Sequence, residues 1–198
     1  MVAKKSTKST SARKGASLQY TVPGMEIGDA RKVIEALQGR VHALNDLALT
    51  LKHVHWNVVG PHFIGVHLML DPQVDSARLM VDALAERIAT LGGAPIGTPG
   101  ALVKARDWDD YAIGRAGVSE HLGALDLVYA GVITSHRDAI ELTEDLDPVT
   151  QDMLIGQAMQ LEQYQWFVRA HLESADGSLS TTGARSEVSA ARAAKRSE

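Results

Sequence analysis

Five side chains able to bind a first-row metal stand at helical spacing between Lys52 and Gly93: His55, His67, Asp71, Asp82 and Glu86. On a helix advancing about 100° per residue, His67, Asp71, Asp82 and Glu86 point at roughly 0°, 40°, 60° and 100°, so one stripe carries all four. Along the axis, Asp71 and Asp82 lie about 16 Å apart at roughly 1.5 Å per residue, too far for one ion to touch both carboxylates. The positions are symmetric, however: 71 with 82, and 67 with 86, share the midpoint 76.5. Two copies crossing antiparallel near Ser76–Ala77 would bring Asp71 to the partner's Asp82 and His67 to the partner's Glu86. Small side chains at the crossing would let the backbones approach. The expectation is a pair of equivalent metal sites across an isologous interface.

Imidazole plus carboxylate, in a chain with no cysteine, suits iron, manganese or zinc. Few protein ligands leave coordination positions open to an oxidant. Trp56 directly follows His55, as an interface anchor or as a nearby indole that takes up an oxidising equivalent. His53 and His55 point about 200° apart on a helix, so only one of them faces the site.

The motifs HWNVVGPHF (55–63), His67, Asp71, Asp82 and AERIATLGG (85–93) resemble Dps, the mini-ferritin family of DNA-protecting proteins from starved cells, in its actinobacterial type. The resemblance runs from about Tyr20 to Ser174. It implies an all-α, ferritin-like four-helix bundle with a long crossover between the second and third helices, assembled as a hollow dodecameric shell. It implies a ferroxidase centre in which His55, His67 and Asp71 of one subunit meet Asp82 and Glu86 of its two-fold mate. There Fe(II) is oxidised by hydrogen peroxide, or more slowly by dioxygen, and stored as ferric mineral. It also chooses His55 over His53, and it implies a three-fold pore admitting Fe(II), to which Asp147 and Asp152 match best and Asp145 less well. As an alternative, Asp147 simply stands at the N-terminus of the fourth helix. The Glu-x-x-His motif of ferritins with an intra-bundle di-iron site is absent from the sequence. The remaining rival is a non-catalytic, nucleoid-compacting or structural cage whose metal only staples an interface.

Four elements must position these residues. Val33, Ile34, Leu37, Val41, Leu44, Leu47, Leu51 and Val54 fall at helical spacing and predict a first helix over 29–57, stopped by Gly60-Pro61. A second, over 62–91, ends at Gly92-Gly93; Pro72 within it removes a hydrogen bond and is expected to bend or loosen it near Asp71. Residues 93–116 are too long for an ordinary bundle loop and predict a crossover with a short helix near 108–112, where Asp107, Asp109 and Asp110 suit a helix N-terminus. Third and fourth helices are expected over 118–145 and 149–175, with Met153, Met159, Trp166 and Phe167 as core. His42, His53, His62, His121, His136 and His171 receive no role.

The chain of 198 residues, with 45% hydrophobic content, suits one domain (20–175) flanked by two arms. Its net charge of −4 hides an asymmetry. Residues 1–19 carry Lys4, Lys5, Lys8, Arg13 and Lys14 without an acid, and read as a disordered basic arm that contacts DNA phosphates. Residues 176–198 are only mildly basic and read as a flexible tail, with Arg192, Lys195 and Arg196 as weaker DNA contacts. Five charges bind weakly alone, but many arms on one particle gain by avidity. The body is strongly acidic, and a closed shell of such bodies would concentrate Fe(II) by its field. No apolar run reaches the ~20 residues of a membrane span, and no secretory signal is recognisable. Without cysteine there is no disulfide, thiolate metal site or iron–sulfur cluster; neither a phosphate-cradling glycine loop nor a nucleophile–base motif occurs. The expected location is cytoplasmic, on the nucleoid.

Overall fold

The computed structural model describes residues 18–197. Helices α1 (Ile27–Asn57) and α2 (Phe63–Thr90) form one long hairpin, and α4 (Val118–Thr143) and α5 (Pro148–Ala170) form another. Between the hairpins runs the crossover with the short α3 (Pro99–Ala105), and α6 (Glu187–Lys195) follows the bundle. The two-residue strands β1 (Val58–Val59) and β2 (Ala116–Gly117) pair in parallel, tying the end of α1 to the start of α4.

The apolar stripe of α1 behaves as its spacing demands: Val33, Leu37, Val41, Leu44, Leu47, Leu51 and Val54 are all buried. They pack against Leu70, Val74, Leu84 and Ile88 of α2 and Leu122, Leu125 and Tyr129 of α4. A positive φ at Gly60 turns the chain between α1 and α2. Gly92 does the same after α2, and its missing Cβ leaves room for the carbonyl of Tyr20. Helix α2 continues without interruption through Pro72, which is exposed on its outward side.

The short crossover helix lies at 99–105 rather than 108–112. Pro99 is pre-set for the first helical turn, and Leu102 is the buried anchor. Residues 106–112 are instead held as irregular chain against α1. Asp46 receives Arg106 at 3.2 Å and the Trp108 indole N–H at 2.7 Å. Asp110 pairs with Arg106 at 2.6 Å and therefore does not cap a helix.

The C-terminal segment also departs from expectation. Helix α5 stops at Ala170, and the chain turns back through Gly177 and packs α6 onto α4 instead of remaining a loose tail. Ala190, Ala191 and Ala194 are buried because Gly123 lets the helices touch: a Cβ there would stand 2.7 Å from the Ala190 carbonyl. Polar ties complete the docking. Thr181 donates to the buried Asp126 carboxylate, which also receives Arg169 and Gln165, and Lys195 pairs with Glu120. Met159 and Trp166, expected in the core, are largely exposed.

Candidate metal centre

Helices α1 and α2 place His55 and His67 face to face across the hairpin. Their rings stack at a centroid distance of 3.6 Å. Each Nδ1 lies 2.9 Å from the other residue's backbone carbonyl, a reciprocal pair of hydrogen bonds. Since a carbonyl only accepts, both Nδ1 atoms carry the proton and both Nε2 atoms keep a lone pair for a metal. The backbone thus supplies the orienting contacts that metal-binding histidines need. Asp71 completes the group, with Oδ1 3.3 Å from His55 Nδ1.

Lys52, which the sequence reading passed over, grips that same Oδ1 at 2.6 Å. Its hydrogen bond is the largest reason the Asp71 carboxyl lies below the usual carboxylate range; burial opposes the shift, and His55 and His67 add to it. The available signal was spacing, because 52 and 55 share one side of α1. Trp56 stands beside this group with 72% of its surface exposed.

Asp82 and Glu86 are exposed on the outer side of α2, about three and four turns beyond Asp71. The opposite side of α2 holds the buried residues Val66, Leu70, Val74, Ala77, Leu84 and Ile88. The ligand stripe is therefore turned away from the protomer's own core. Ala77, expected to cushion a helix crossing, is 2% exposed and packs inward. The outward side near the midpoint instead presents Leu68, Pro72, Asp75 and Leu79. Among the described residues, no three His, Asp or Glu side chains of one chain are grouped so as to hold a metal on their own.

The acidic corner between α4 and α5 divides in two. Asp145 and Asp152 are exposed, whereas Asp147 is buried at the N-cap of α5. Arg87 reaches Asp147 at 2.6 Å, and the Thr150 hydroxyl donates to the same oxygen. Burial alone would raise this carboxyl; Arg87 and Thr150 outweigh it and bring it below the usual range. Lys4, Lys5, Lys8, Arg13 and Lys14 lie outside the described residues. Arg192, Lys195 and Arg196 line the exposed side of α6. His136 is fully buried, and desolvation, then Arg40, pushes it down to about 4. His53 bonds to the Ile113 carbonyl, and His121 to Tyr111.

Comparison with known proteins places this chain in a family. The ferritin-like domain family matches residues 34–177. The "DNA protection during starvation protein" of Mycolicibacterium smegmatis is 58% identical over 177 residues, covering 89% of this chain and 97% of the relative. Among solved structures, Mycobacterium smegmatis Dps in its tetragonal form superposes with a TM-score of 0.82 at 59% identity, covering 83% of this chain and 99% of that one. DpsA14 from Streptomyces coelicolor gives 0.82 at 63% identity, covering 83% and 98%. The chain belongs to the Dps family of ferritin-like proteins.

Proposed function

We propose that this protein is a ferroxidase of the mini-ferritin kind, whose catalytic site is completed only when two copies meet. The observation that carries the reading is the mutual locking of His55 and His67, which leaves two imidazole lone pairs beside Asp71 on a face turned away from the core. In the assembled protein, the partner's Asp82 and Glu86 would reach this half-site, giving a two-nitrogen, three-carboxylate set suited to Fe(II). Fe(II) is the substrate. Hydrogen peroxide, or dioxygen more slowly, takes two electrons from a pair of irons, so one-electron release of hydroxyl radical is avoided. Trp56, exposed beside this half-site, anchors the contact with the partner. Ferric product collects as mineral inside a dodecameric shell, and Asp145 and Asp152 with Asp147 mark the corner through which Fe(II) enters. Asp147, tied to Arg87, shapes that corner more than it faces an ion.

DNA protection has a second component. The basic residues 1–19, repeated around a closed particle, give non-specific, salt-sensitive contact with duplex phosphates. Arg192 and Arg196 add to it, while Lys195 is already paired with Glu120. The protein would act in the cytoplasm, on the nucleoid; among the described residues no helix is long and apolar enough to cross a membrane.

The test is anaerobic Fe(II) loading followed by stoichiometric hydrogen peroxide, read as ferric absorbance, on wild type and on Asp82→Ala/Glu86→Ala. Wild type should oxidise iron rapidly. The double variant should fall to the rate in buffer while keeping its assembled mass. Wild-type oxidation no faster than buffer would leave a non-catalytic cage as the reading.

A further inference from the structure

Tyr111 and His121 form a hydrogen-bonded pair on the side of α1 opposite the metal-binding histidines. The Tyr111 hydroxyl lies 3.0 Å from His121 Nδ1 and 3.4 Å from the His121 backbone carbonyl, and the two rings are parallel within 10°. His121 has no solvent exposure. His53 packs edge-on against Tyr111 at a centroid distance of 5.7 Å. On α1, His53 precedes His55 by only two residues, about 3 Å along the axis. Their side chains leave α1 about 200° apart, so the width of one helix, about 10 Å, separates the stacked His55 and His67 from His53, Tyr111 and His121.

Tyr129 of α4 provides a comparison. Tyr129 is fully buried, but its hydroxyl donates to the Gln73 amide oxygen at 2.7 Å. An amide is too weak a base to take a phenolic proton. An imidazole is not, and a phenol bonded to one loses its electron more readily because the proton moves at the same time.

We propose that Tyr111 is a reserve electron donor to the metal centre, with His121 taking its proton. The inference rests on the ferroxidase reading and extends it to the case of a half-filled site. With one Fe(II) bound, reduction of hydrogen peroxide to two waters lacks an electron. Fe(II) supplies one and becomes Fe(III); Tyr111 supplies the other and becomes a neutral phenoxyl radical. The phenolic proton passes to His121 Nδ1, and two protons from solvent complete the waters. Burial holds His121 below the usual imidazole range; an oxidised phenol is acidic enough to protonate it. Tyr111 also lines a solvent-open cleft of about 750 Å³ between α1, α4 and residues 185–188. A one-electron reductant such as ascorbate, entering there, would restore the phenol as His121 returns the proton.

The experiment uses the assembled full-length protein loaded with one Fe(II) per site, mixed with hydrogen peroxide and freeze-quenched for electron paramagnetic resonance. Ferric absorbance is followed in parallel. Wild type should give a phenoxyl signal that Tyr111→Phe abolishes and Tyr129→Phe leaves in place. His121→Gln, which keeps a hydrogen-bond acceptor but removes the base, should weaken the signal. Spin-trapped hydroxyl radical should rise in Tyr111→Phe. Ferric iron formed without a phenoxyl signal, or with one that survives Tyr111→Phe, overturns the proposal alone. Absence of ferric iron in wild type overturns the ferroxidase reading and the proposal with it.

Discussion

At the scale of single residues, the half-site is organised by contacts that a list of ligands leaves out. Backbone carbonyls orient His55 and His67, and Lys52 orients Asp71. The Lys52 contact has a definite pH signature. A carboxylate whose folded-state value is depressed contributes stability above its unfolded value of about 3.9 and loses that contribution as pH falls through the folded value. Replacing Lys52 with Met removes the largest cause of the depression, so the Asp71 midpoint should move upward. Carboxyl infrared titration of wild type against Lys52→Met, with Asp71→Asn to identify the band, measures it directly. An unmoved midpoint would show that Lys52 is not what holds Asp71.

Elements answer to packing, and the C-terminal helix illustrates this most clearly. Its docking needs the close approach at Gly123, where Ala190 and Ala194 leave no room for a side chain. Overpacking such a contact destabilises by about 1–3 kcal/mol, more than a nine-residue helix with three buried alanines can absorb. Gly123→Val should therefore release α6 while the four long helices hold. Hydrogen exchange would read this as fast exchange over 187–195 with protection of α1 and α2 retained. Protection of α6 unchanged in the variant would mean that Asp126 and its partner Thr181 carry the docking instead.

For the whole molecule, charge is distributed by region: a basic stretch precedes an acidic body. Each phosphate contact contributes about 0.9 to the slope of log affinity against log salt on duplex DNA. Deleting residues 1–17 should weaken DNA binding and flatten that slope, whereas Arg192→Ala/Arg196→Ala should have a smaller effect. Filter binding or gel shift across a salt series tests both. If the deletion leaves the slope unchanged, the phosphate contacts lie on the body or on α6.

Much of this protein follows from local sequence. Helical periodicity in α1 and α2 reflects a stripe that must be buried, and the same rotation places His67, Asp71, Asp82 and Glu86 together on the other side. The helices were legible because spacing along one helix is a local property, and the ferritin-like fold through the resemblance that the motifs carry. Four features depend on parts of the chain meeting across distance. The short crossover helix sits at 99–105 because Asp46, on a different helix, holds Arg106 and Trp108 in irregular chain. The C-terminal segment docks because Gly123 admits its alanines, although its composition alone suggests solvent exposure. The direction in which Ala77 turns, and the pairing of Tyr111 with His121, were likewise set by tertiary packing. Spacing shows which residues share a face, but only the folded chain shows what that face meets.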